Sequence, residues 1–110
     1  LIANESTAES VERQEAEVAY IKNAASRVKA LIGKSKDKKA NKEIEKTYDL
    51  LHSSPTRSVS SVRQLELQVV NYISDLEDAV QAENIDLIII SAGKIIATME
   101  ERNRKLRLTN

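Results

Sequence analysis

Apolar residues return every three or four positions along most of the chain. Projected at 100° per residue, Val62, Leu65, Val69, Ile73, Leu76 and Val80 fall within an arc of about 80°, the signature of an amphipathic helix. Ile85, Ile88, Ile89, Ala92, Ile95, Ile96 and Met99 form a second stripe, which Leu106 continues. Val11, Val18, Ile21, Ala25, Val28 and Ile32 make a third, and Ala40, Ile44, Thr47, Leu50 and Leu51 a fourth. No segment alternates with period two for long. The run from Leu87 to Ile90 is β-branched enough for a strand, but it lies inside a longer helical period and has no second strand to pair with. The pattern predicts an all-α chain.

Breaks between the stripes are few and easy to place. They fall at the polar stretch that begins with Gly33, at the Ser/Pro-rich run 53–58, and at Asn84-Ile-Asp86. Four helices are therefore expected, near 8–32, 37–52, 59–83 and 86–107. Gly33 suits the left-handed position that closes a helix. Asn84 or Asp86 suits the N-cap of the fourth helix. The third has two candidate starts, Ser54 followed by Pro55, or Ser61 with Gln64 as a capping box. Short turns fold helices back on themselves. The expected architecture is an antiparallel, up-down-up-down four-helix bundle, with helix 2 shorter than the others. Residues 1–110 would form one domain, with 1–7 a frayed N-terminal segment.

Composition narrows the chemistry. The 110 residues include 17 Lys+Arg, 17 Asp+Glu, one His and no Cys. Without cysteine there is no disulfide, thiolate metal site or thiol nucleophile. One histidine cannot build the paired Glu-x-x-His motifs of a bundle di-iron site. The nearest approach is Glu45, Asp49 and His52 on one face of helix 2. At a helix end, however, an imidazole more often caps free carbonyls. Two glycines are too few for either phosphate-binding glycine pattern. No nucleophile elbow accompanies the serines around His52. The expectation is a non-enzymatic protein with no cofactor and no metal. No signal peptide is visible, no stretch reaches the ~20 apolar residues of a membrane span, and a cytoplasmic location is expected.

Two surface readings remain. The first rests on apolar residues outside the core stripes: Leu67 and Val70 on helix 3, Leu87 and Ile90 on helix 4. Ala16, Tyr20, Ala24 and Leu31 likewise lie off the stripe of helix 1. A bundle needs one apolar stripe per helix, and several surplus residues together mark a contact surface. They point to a protein–protein interaction or scaffolding module that binds a partner or itself as a homo-oligomer. The second reading rests on Lys34, Lys36, Lys38, Lys39, Lys42 and Lys46, a basic cluster open to nucleic acid. Arg102, Arg104, Lys105 and Arg107 form another basic group. They also complement the negative end of helix 4. Zero net charge and the absence of an aromatic stacking platform weigh against nucleic acid.

Overall fold

A computed structural model of the chain describes residues 20–109, of which 80% are helical, with no strand among them. The helical residues 20–29 are called α1. α2 spans Lys38–Ser53 (16 residues), α3 Arg63–Gln81 (19 residues) and α4 Ile85–Leu108 (24 residues). α2 is thus shorter than α3 and α4. The expected frayed segment 1–7, the start of helix 1 and Val11, Ala16 and Val18 lie outside the described residues.

Local chemistry explains the end of α1 and the starts of α2 and α4. Gly33, at φ 83°, closes the turn after α1. Asp37 caps α2 by accepting a hydrogen bond from the Ala40 N–H at 2.9 Å. α4 is capped by Asn84, whose Oδ1 accepts from the Leu87 N–H at 3.2 Å. Between α3 and α4 the chain reverses through Glu83, at φ 55°. There the Asn84 N–H reaches back to the Ala79 carbonyl at 3.0 Å.

Neither expected cap opens α3. Ser54 instead closes α2, its hydroxyl donating to the Leu50 carbonyl at 2.6 Å. Ser61 sits within a 3-10 turn, Ser60–Val62, and Val62 precedes α3 without a side-chain cap. A stretch of extended chain and the 3-10 turn therefore separate α2 from α3.

The core follows the stripes closely. Val69, Ile73, Leu76 and Val80 of α3 meet Ile88, Ala92, Ile95 and Met99 of α4 in one cluster. Ile44 and Leu51 of α2 and Ile21, Ala25 and Val28 of α1 join it. α4 packs along both α2 and α3, which do not approach each other. α1 is tied to α3: Tyr20 Oη donates to the Glu66 carbonyl at 3.0 Å, and Arg27 Nη2 meets Glu77 Oε1 at 2.6 Å.

Three details depart from the sequence reading. Ala24 and Leu31 are buried rather than surplus, because that flank of α1 and the turn after it face α3. Leu65, expected in the stripe of α3, is only half-buried, and the next residue, Glu66, takes the inner position. Arg102, expected among the exposed basic residues of α4, is fully buried because it pairs with Glu66 in the interior.

Candidate functional site

At one end of the molecule the beginning of α3 meets the ends of α2 and α4 in a polar knot. Arg102 Nε donates to Glu66 Oε2 at 2.8 Å. Its Nη1 donates to the Pro55 carbonyl at 3.1 Å and to Asn103 Oδ1 at 3.0 Å, and its Nη2 to the Arg57 carbonyl at 2.9 Å. Asn103 Nδ2 donates to Ser54 Oγ at 2.9 Å, and the Ser58 hydroxyl donates to Glu66 Oε1 at 2.7 Å. Tyr20 completes the knot from α1. Burial pushes the Tyr20 phenol far above its ordinary range, and the Glu66 carboxylate adds to the rise while Arg102 opposes it. Buried charge survives when it is paired and hydrogen-bonded, and here both conditions hold. The guanidinium is spent on four acceptors and is fully buried. Its work is to hold the α2–α3 connection.

The sequence offered a signal for this knot that a search for apolar stripes passes over. The inner register of α4 runs Ile95, Met99, Arg102, Asn103, Leu106, and that of α3 runs Val62, Glu66, Val69. An Arg and a Glu on two facing core registers are mutual partners.

The expected contact residues fall in two places. Leu67 is 60% exposed, and Val70 is half-buried in an open cleft of about 470 Å³ that it shares with Tyr20, Asn23 and Arg27. Leu87 and Ile90 are 47% and 50% exposed in the first two turns of α4, while Ile88 between them is fully buried. Glu66 is level with Arg102, and at 1.5 Å per residue Ile90 lies roughly 18 Å further along α4. The two pairs therefore sit toward opposite ends of the α3–α4 pair.

A second open cleft, of about 690 Å³, lies between Arg27, Leu31 and Lys34 on one side and Glu77, Gln81 and Glu83 on the other. The turn after α1 and the turn after α3 are thus at the same end of the molecule. The Arg27–Glu77 bridge bounds this cleft and holds the Glu77 carboxyl below the usual carboxylate range. Lys34, Lys36, Lys38, Lys39, Lys42 and Lys46 are all exposed, and Lys46 pairs with Glu43 at 3.2 Å. Arg104 and Arg107 are exposed and Lys105 half-buried. Without Arg102 this second basic group is smaller than the sequence suggested.

His52 is exposed and stacks on Tyr48, with ring centroids 5.4 Å apart and an interplanar angle of 21°. Among the described residues no three His, Asp or Glu side chains come together as metal ligands would. No helix among them is long and apolar enough to cross a membrane.

The class these features define is all-helical, with one contiguous core and a polar knot at one end. Comparison with protein-family models, with curated proteins and with solved structures finds no match to this chain.

Proposed function

We propose that the protein is a non-enzymatic interaction module that works through exposed apolar residues on its helices. The observation that carries this reading is the pair Leu87 and Ile90. They stand three apart on one face of α4, about half exposed, where polar residues would cost nothing. Burying each would contribute on the order of 1.5–3 kcal/mol before the cost of association. Leu67, at the other end of the α3–α4 pair, is a second point of contact, with Val70 at its inner edge.

In the same reading the helices form an antiparallel up-down-up-down bundle. The connection from α2 to α3 crosses the bundle diagonally, so that α4 stands between them. Support comes from the pairing of Glu66 with Arg102, which runs α3 against α4, and from the Ser54–Asn103 contact, which sets the end of α2 beside the end of α4.

Leu87→Ser combined with Ile90→Ser tests the interaction. Mass in solution and melting temperature are measured together. Lost association with a melting temperature close to that of the wild type is the expected result. A wild type that stays monomeric at high concentration, with a double variant that melts much earlier, would overturn it.

A further inference from the structure

The end of the molecule that carries Leu87 and Ile90 is divided by charge. Lys34, Lys36, Lys38, Lys39 and Lys42 occupy the turn between α1 and α2 and the first turns of α2, and all are exposed. Asp75, Asp78, Glu83 and Asp86 occupy the end of α3, the following turn and the start of α4, and all are exposed as well. Lys34 and Glu83 line one cleft, which places the two groups at the same end. Yet the ion pairs among the described residues are Arg27–Glu77, Lys46–Glu43, Arg102–Glu66 and Arg104–Glu101, and none joins a lysine of the first group to an acid of the second. Opposite charges lie near each other without meeting.

Several of these positions also run against local stability. A helix N-terminus favours acidic side chains and a C-terminus basic ones. The first turn of α2 has no acidic residue and begins with Lys38 and Lys39, and the last turn of α3 has no basic residue and contains Asp78. Glu83 holds a left-handed φ of 55°, where glycine is the low-cost residue. Asp37 compensates at the N-terminus of α2, whereas Asp78 and Glu83 have no ion-pair partner among the described residues. Such uncompensated departures are expected at functional surfaces.

We propose that this end docks onto the same end of a second copy of the chain, the basic edge of each molecule lying over the acidic edge of the other. The proposal rests on the interaction reading above and names its partner. The sign pattern selects the symmetry. A two-fold axis perpendicular to the helices, and parallel to the two edges, exchanges basic for acidic and pairs both edges at once. A closed two-fold contact of this kind is self-complementary by construction. The apolar pair has a place in it: lysine stems lie over Leu87 and Ile90 while their ammonium groups reach the acids around them.

A charge exchange tests the proposal. One variant carries Lys38→Glu, Lys39→Glu and Lys42→Glu, and the other Asp75→Lys, Asp78→Lys and Glu83→Lys. Both sets move α2 or α3 toward the charge its terminus favours, so both variants should fold, as circular dichroism checks. The wild type is expected to dimerise near 0.1 M salt and to dissociate at least tenfold more readily near 1 M, where the screening length falls from ~10 Å to ~3 Å. Each variant alone is expected to be monomeric, and an equimolar mixture to form a heterodimer. A monomeric wild type at low salt would overturn the proposal, as would a mixture of folded variants that stays monomeric. If Leu87→Ser with Ile90→Ser dissociates a dimer that both charge variants leave intact, charge pairing is overturned while the apolar reading stands.

Discussion

Arg102 and Glu66, 36 residues apart in the chain, meet at 2.8 Å with the guanidinium fully buried and the carboxylate nearly so. The pair fastens α4 to α3 and, through the carbonyls of Pro55 and Arg57, fastens both to the extended chain after α2. A second ion pair, Arg27–Glu77, joins α1 to α3 with about a third of each side chain exposed. Water separates the two in consequence.

Arg102→Ala is expected to destabilise the protein by about 3–5 kcal/mol, the cost of leaving a buried partner unpaired. Arg27→Ala is expected to cost less than about 1 kcal/mol and to lose most of that in high salt. Urea unfolding of the two variants side by side measures both. Since the whole domain has roughly 5–15 kcal/mol to lose, the first change threatens folding and the second does not. Equal losses would mean that Arg102 is wetter than its burial implies.

Tyr20 sets an alkaline limit. Its phenol, hydrogen-bonded to the Glu66 carbonyl and facing the Glu66 carboxylate and Arg102, ionises far less readily in the folded protein than at its ordinary value of 10.0. A group whose folded pKa is raised contributes stability that is complete below the unfolded pKa and declines above it. The wild type is therefore expected to lose stability as pH rises above about 10. Tyr20→Phe is expected to cost about 1 kcal/mol at neutral pH and to flatten this decline. Melting curves from pH 8 to 11 decide the matter.

The two glycines are expected to respond with opposite signs to alanine. Gly33 has φ 83°, so Gly33→Ala forces a side chain into the left-handed region and should cost about 1–2 kcal/mol. Gly93 lies within α4, and an added methyl group meets nothing within 4 Å. Gly93→Ala should therefore stabilise the helix by roughly 0.5–1 kcal/mol. A thermal melt of each variant is sufficient.

Neighbours on α4 provide the sharpest contrast. Ile88 is fully buried, and Ile88→Ala is expected to cost about 2–5 kcal/mol through lost contacts and the cavity left behind. Leu87→Ala, one residue away and 47% exposed, is expected to stay within about 1 kcal/mol when measured on dilute protein. A large loss from Leu87→Ala under those conditions would place it in the core and remove it from any contact surface.

Much of this molecule is legible from spacing alone. The stripes through Val69, Ile73, Leu76 and Val80 and through Ile88, Ala92, Ile95 and Met99 are buried as the 3.6-residue period demands. Gly33 and Asn84 act at the helix ends their chemistry suits. What spacing conceals is every feature that depends on a partner distant in sequence. Ala24 and Leu31 look superfluous until α3 covers that flank of α1. Arg102 looks like a solvated cation until Glu66 stands opposite it. Ser54-Pro55 looks like the start of a helix until Asn103 and Arg102 bind it from the far end of α4. The candidate contact residues are visible as off-stripe positions, but their division between two ends requires the pairing of α3 with α4.

The anchoring of the α2–α3 connection has a consequence for the order of assembly. α3 and α4 are joined by a short turn and form a hairpin from contacts close in sequence. The chain after α2 is held largely from far away in sequence, because Arg102, Asn103 and Leu106 bind it from 45 to 49 residues away. Contacts of such long range close slowly, since the entropy of the intervening chain is lost before they form. On the ribosome, α2 can become helical early, yet its contacts with α4 wait until synthesis has passed residue 106. Its lysine-rich surface would keep that waiting segment in water.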